Sequence, residues 1–365
     1  MLRNADRGLD SKVSGGRSVS EILRLPLLAA GLGMAAVCVA NPVPSYPYAT
    51  PVFGVATAPD GSILVADYGS GIVELRKDEA HLIAPLPTVT DVAPLGRGDM
   101  FAVTGLDPTG QAEEAQKLFR VSRGSVRQIA DLLAFETTVN PDGAEINSNP
   151  FDVAALTGGR ALVADAGANT LLIVDNEGVV DWVATFPEEL APSGHLKALV
   201  GCPSAVPGFE WVCGLPDVLP AQAVSTSVAV GPDGGYYVGE LKGIPAPTGM
   251  SRIWRVEPGA RHVACGSSPE CSVVADGFTS IVDLSFGADG KLYVVELDEA
   301  TWAAIEFQLG GDGGTVDRCD PSSWSCEVVA AGLPIPMATT LGRDGTQWAA
   351  IWALVPGLAQ IVSLP

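Results

Sequence analysis

Asp91, Asp152 and Asp283 stand at one shared position of a hairpin that recurs along the chain. Three carboxylates gathered around one axis would present hard oxygen ligands, the donor type that suits Ca²⁺ or Mg²⁺. Without a cation they would repel one another, and at least one would hold its proton at a raised pKa. The competing reading is that each Asp bonds the backbone of a neighbouring unit, the usual fate of a buried polar group, and it is the favoured one. A second acidic set, Asp67, Asp165, Glu240 and Glu296, ends the second strand of the same hairpin, with Thr104 and Ile351 in the remaining copies. Such a residue reads first as a turn cap.

Other catalytic signatures are missing. The three histidines, His81, His195 and His262, fall outside the hairpins, and no HxxxH pair or GxSxG elbow occurs. The stretch "GGDGGTVDRCD", residues 310–320, offers Asp312 and Asp317 to a cation but lacks EF-hand spacing. It reads as a flexible loop pinned by Cys319 and Cys326. Trp211, Trp254, Trp302, Trp324, Trp348 and Trp352 read as blade packing in preference to a sugar-binding face.

The elements that must position the three aspartates are six hairpins of equal length: "FGVATAPDGSILVAD" (53–67), "TDVAPLGRGDMFAVT" (90–104), "FDVAALTGGRALVAD" (151–165), "TSVAVGPDGGYYVGE" (226–240), "VDLSFGADGKLYVVE" (282–296) and "MATTLGRDGTQWAAI" (337–351). Gly61, Gly98, Gly159, Gly234, Gly290 and Gly345 share one turn position. Short β-prone runs around a glycine turn are hairpins. Further β-prone runs such as "KLFRV", "TLLIVD" and "VVDWVATF" bring most units to four strands. Six such units predict an all-β fold, a six-bladed β-propeller with four-stranded blades. A sandwich does not call for six equal hairpins, and a β-helix has shorter, more even repeats. The last unit ends after its third strand, so Val43–Thr50 is expected to supply the outer strand and close the ring, protecting an exposed edge.

Insertions at 185–225, 241–250 and 297–325 interrupt the pattern and are candidate binding surfaces. Six cysteines fall in close pairs, Cys202 with Cys213, Cys265 with Cys271, and Cys319 with Cys326. An even count in an exported chain implies disulfides. Among the 15 pairings that six cysteines allow, sequence proximity favours these three.

Export is read from residues 1–40, a basic stretch followed by "LPLLAAGLGMAAVCVA", with a cleavage site expected before Asn41. The propeller then spans 41–365. The apolar run is shorter than the roughly 20 residues of a membrane span, so no transmembrane segment is expected in the mature chain. A lipid anchor at Cys38 is disfavoured by Val37, where a small residue is expected. Residues 1–40 hold five basic and three acidic groups, so the remainder has 16 basic and 39 acidic groups, net −23. That sign excludes nucleic acid as a partner.

The stretch "NPFDVAALTGGRALVADAGANTLLIVD" resembles a repeat of the NHL class of propellers. "AQAVSTSVAVGPDGGYYVGELKGIPAPTGMSRIWRV" followed by "GFTSIVDLSFGADGKLYVVE" resembles the ScyD/ScyE family of exported bacterial proteins, named for genes that lie beside those for the cyanobacterial pigment scytonemin. The resemblance covers most of residues 50–365 and implies an exported propeller without an established reaction. Calcium-dependent lactonases of the gluconolactonase type place an Asn or acid one residue before the aspartate position. Here that position holds Phe53, Thr90, Phe151, Thr226, Val282 and Met337.

Two functions are expected. The first is a secreted or periplasmic monomer that binds a protein, glycan or small molecule as a scaffold. The alternative is a divalent-cation-dependent hydrolase or lyase, lactonase-like or strictosidine-synthase-like, using Ca²⁺ at Asp91, Asp152 and Asp283.

Overall fold

The computed structural model describes residues 40–42, 46–77 and 79–365. The targeting segment read at 1–40 and Cys38 therefore lie, apart from Ala40, outside the described residues. Among these, no helix is long and apolar enough to cross a membrane.

Six antiparallel sheets form the ring. Blade 1 runs outward from Val52–Thr57 through Ile63–Asp67 and Gly71–Arg76 to Glu79–Pro85. Blade 2 begins on Val89–Gly96, blade 3 on Pro150–Leu156, blade 4 on Ser225–Val230 and blade 5 on Ile281–Phe286. Blade 6 runs from Ala338–Leu341 through Gln347–Ile351 to Gln360–Ser363. The expected six-bladed, four-stranded architecture is what the chain adopts.

Ring closure also comes from the N-terminal side, with a different segment. Ala40–Pro42 pairs antiparallel with Gln360–Ser363, Ala40 opposite Ser363. Of the expected Val43–Thr50, residues 43–45 lie outside the described residues. Tyr46–Thr50 forms a connector instead of a strand, because Asp67 captures the N–H groups of Ala49 and Thr50, at 2.8 Å each. Blade 3 carries an unexpected fifth strand, Val263–Ala264, donated in parallel by a blade 4 excursion. The same excursion holds the Cys265–Cys271 bridge.

The hairpins form for the reason read from their residues. Each shared turn glycine has a positive φ, between 74° at Gly159 and 90° at Gly61, a conformation that costs glycine little. The strand runs are nearly continuous in apolar residues because both faces are covered. Val92 packs toward blade 1 with Leu64, Ala66 and Met100, whereas Ala93 packs toward blade 3 with Val153 and Val163. Successive side chains of a strand thus serve successive blade interfaces.

In blades 1 to 5 the inner strand carries a bulge. The pairing skips Phe53, Thr90, Phe151, Thr226 and Val282, one residue before the aspartate position.

The insertions assemble on one end of the ring. Gly194–Leu199 and Glu210–Cys213 are short helices in the connection from blade 3 to blade 4, bridged by Cys202–Cys213. Trp302–Glu306 is a helix between the second and third strands of blade 5. Leu196, Val200, Val212, Leu241, Ala246 and Trp302 join one buried cluster with Phe53 and Val282 of the inner strands and with Met337, just before that of blade 6. They form a cap seated on the channel mouth. The stretch 310–320 is only partly the expected loop: Gly314–Asp320 is the third strand of blade 5. Gly310–Gly313 wraps around Asp298, which accepts the N–H groups of Ala300, Asp312 and Gly313 at 2.9–3.1 Å.

Candidate functional site in the central channel

The sixfold equivalence holds in the structure: Gly54, Asp91, Asp152, Ser227, Asp283 and Ala338 pair in the same register with the second strands of their blades. Each aspartate reaches to the next blade. Asp91 Oδ2 accepts the N–H of Val153 at 3.2 Å, Asp152 Oδ2 that of Val228 at 2.7 Å, and Asp283 Oδ2 that of Thr339 at 2.8 Å. The carboxylates therefore act as inter-blade clasps, the backbone-bonding role favoured from the sequence. Gly54 is the complement of Asp91: a Cβ there would collide with Asp91 Oδ1. Ser227, fully buried over Gly239, leaves its hydroxyl without a partner.

The three also converge. Burial raises the pKa of Asp91 well above the usual carboxylate range, and the charge of Asp152 adds to the shift. Asp283 is pushed well up by burial and then by Asp152. Asp152 is raised by burial, against hydrogen bonds from Asp91 and the Val228 N–H that favour its charge. All three are thus harder to ionise than a free carboxylate, Asp91 and Asp283 the more so because each faces the charge of Asp152. Among the described residues, no group of three or more His, Cys, Asp or Glu side chains is arranged to hold a metal ion.

This arrangement sets a sign for pH. An acid whose folded-state pKa is raised contributes fully below its unfolded value near pH 4. That contribution falls as pH climbs toward the folded-state value. Asp91→Asn and Asp283→Asn keep an acceptor for the next blade without the charge. Each is expected to raise the melting midpoint at pH 7–8 and to leave it unchanged near pH 4. Parallel melts across this range check it; an equal shift at both pH values would refute the ionisation argument.

One end of the channel is closed. The rings of Phe53 and Phe151 lie 5.2 Å apart, and since blades 1 and 3 are not neighbours, this contact crosses the channel. The bulge turns Thr90 and Thr226 the same way, and their hydroxyls donate to Pro150 O at 3.1 Å and Ile281 O at 2.7 Å of the following blades. The position one residue before the aspartates is spent on blade-to-blade bonding and apolar filling.

The second acidic set acts mostly as expected of caps. Asp67 holds Ala49, Thr50 and Ser70. Asp165, fully buried, accepts from Ser148 Oγ and from the N–H groups of Asn149, Gly167 and Ala168. Glu240 and Glu296 do more. Glu296 accepts the Thr279 N–H and the Thr315 hydroxyl, and burial pushes it up to about 8, with Glu299 and Asp317 adding their charge. Glu240 faces Lys242 Nζ at 2.8 Å and the indole N–H of Trp254. Lys242 is fully buried and also meets Glu189 at 3.0 Å. Sequence reading missed this lysine, since Glu189 lies 53 residues away.

The histidines serve the surface. His81 faces Glu79, His195 bonds Ala300 O, and His262 bonds Asp181 and stacks on Trp182. Trp254 and Trp302 are core residues, while Trp211 is exposed on the cap. All three cysteine pairs form disulfides as expected, Cys319–Cys326 joining the third and fourth strands of blade 5.

No protein-family model and no curated protein matches the chain. Among solved structures it is similar to a protein of unknown function from Bacteroides thetaiotaomicron, with 9% identity over 89% of this chain and 71% of that one and a TM-score of 0.54. It is similar to a calcium-binding protein, regucalcin, from Agrobacterium tumefaciens, with 14% identity over 89% and 93% of the two chains and a TM-score of 0.53. A PQQ-bound aldose sugar dehydrogenase from Streptomyces coelicolor is likewise similar, with 10% identity over 89% and 96% and a TM-score of 0.52. At these identities the likeness shows fold alone. The chain shares the β-propeller fold of these proteins.

Proposed function

We propose that this chain is an exported, NHL-like propeller of the ScyD/ScyE type that works as a binding or scaffold protein through its capped face. The observation that carries the reading is the use of the channel. The three aspartates clasp neighbouring blades, and Phe53, Phe151 and the cap fill one mouth. The cap gathers insertions from separate blades into one surface, where Leu190, Val206, Trp211 and Val218 are exposed. Three disulfides fit an extracellular or periplasmic location. A protein, a glycan or a small molecule would each suit such a face.

The second reading, a Ca²⁺-dependent hydrolase or lyase at Asp91, Asp152 and Asp283, is favoured by one observation: Asp152 lies close enough for its charge to raise the pKa of both Asp91 and Asp283. A thermal melt of the purified protein with calcium or with a chelator separates the two. A ligand of the folded state raises the midpoint by mass action. The binding reading expects no shift up to about millimolar calcium, the weak end of extracellular sites. A clear rise that disappears in Asp152→Ala would overturn it in favour of the channel.

A further inference from the structure

At the end of the ring opposite the cap, where the first-to-second and third-to-fourth strand turns emerge, a cavity of about 470 Å³ opens between blades 1 and 2. Its walls are largely apolar, with Ala58, Pro59, Leu64, Ile83, Pro94 and Met100. The volume falls within the roughly 300–1,000 Å³ of small-molecule sites.

The cavity has a cause in the repeat. Three residues after the shared turn glycine, blades 4, 5 and 6 carry Tyr237, Tyr293 and Trp348. Each ring folds over a glycine of its own hairpin, Gly231, Gly287 or Gly342, where a Cβ would crowd it. The Tyr237 and Tyr293 hydroxyls donate to the turn aspartates Asp233 and Asp289, at 3.2 and 2.9 Å. Blade 1 has Leu64 over Ala58 at these two positions. Leucine is smaller than an aromatic ring and has no polar tip; blade 3 also has a leucine here, Leu162, but over Leu156, whereas the small Ala58 leaves the space beside Leu64 open.

Charge at the rim is one-sided once its partners are counted. Asp60 is held by Ser62 and Arg76, and Glu74 accepts from Ser62 Oγ at 2.8 Å. Asp99 pairs with Arg120 at 2.9 Å and with Ser122 at 2.6 Å. Arg97 and Arg123 line the cavity, are exposed, and make no ion pair within 4.0 Å among the described residues. Neither guanidinium is engaged in a close ion pair, although the charge of Arg123 is near enough to lower the pKa of Asp99. Guanidinium groups match carboxylates and sulfonates with paired, charge-assisted hydrogen bonds.

We propose that the cavity between blades 1 and 2 binds a small amphipathic organic anion, its apolar body against Leu64, Ile83 and Met100 and its head group between Arg97 and Arg123. This site is separate from the capped face and from the channel aspartates, and does not depend on the function proposed above.

The test is a fluorescence titration of the purified protein with 8-anilinonaphthalene-1-sulfonate, followed by displacement. Saturable binding is expected, reversed by decanoate and not by decyltrimethylammonium at equal concentration. Ala58→Gly/Leu64→Tyr, which copies the glycine and ring of blades 4 and 5, is expected to weaken binding at least tenfold without lowering the melting midpoint. The double variant Arg97→Asn/Arg123→Asn is expected to do the same. Asn tolerates the left-handed backbone of both positions, φ 58° and 50°. Wild-type affinity in Arg97→Asn/Arg123→Asn would overturn the proposal, as would equal displacement by the cationic surfactant. If Ala58→Gly/Leu64→Tyr does not fold, Arg97→Asn/Arg123→Asn at the exposed rim decides alone.

Discussion

Replacing Lys242 with methionine is expected to destabilise the folded protein by about 3–5 kcal/mol, the usual effect of removing one partner from a buried ion pair. Lys242 has no exposed surface and lies between Glu240 at 2.8 Å and Glu189 at 3.0 Å. Without it, Glu240 keeps only Trp254 and a distant Arg252, at 3.6 Å, against the burial that already raises its pKa. The penalty should therefore grow with pH. Near pH 4 a protonated Glu240 needs no counter-charge; at pH 7 it must take up a proton or stand uncompensated. Adding Glu240→Gln, which still accepts from Trp254, is expected to recover much of the loss at neutral pH. Chemical denaturation of the single and double variants at both pH values checks this. A pH-independent loss that Glu240→Gln fails to relieve would show that Lys242 acts through packing of its stem alone.

Trp302→Ala is expected to have an effect of similar size, about 3–5 kcal/mol for a buried tryptophan. Trp302 is fully buried, packs edge-on against Phe307 at 6.3 Å, and donates its indole N–H to the Lys242 carbonyl at 2.7 Å. Its backbone N–H bonds Ser280 Oγ at 2.8 Å, tying the cap helix to the start of blade 5. Trp302→Phe keeps most of the apolar burial and leaves the Lys242 carbonyl unpaired, at about 1–3 kcal/mol. Denaturant midpoints read both substitutions. A loss below about 1 kcal/mol in Trp302→Ala, the range of ordinary surface changes, would mean that the cap is not part of the cooperative fold.

The ring was legible because it repeats. Six hairpins of one length, each with a glycine at one turn position, announce six equivalent units, and the structure keeps their register to the residue. The aspartates were legible as a set for the same reason, and so was their favoured bonding to the next blade. Lys242 was not, because its meaning depends on Glu189, brought to it only when the blade 3–4 insertion folds back onto blade 4. The closing strand was misplaced because Tyr46–Thr50 answers to Asp67, a bond invisible to strand propensity. The cavity between blades 1 and 2 lies in a difference among repeats: Leu64 is unremarkable alone and informative only beside Tyr237, Tyr293 and Trp348.

The pairing of Ala40–Pro42 with Gln360–Ser363 carries a consequence for biogenesis. The first described strand pairs only with the last, so blades 1 to 5 can pack while the sixth still shows a bare edge. Throughout that interval the edge is a template for any extended segment, including the leading segment of a second copy. Pairing with the chain's own Ala40–Pro42 is what covers that edge.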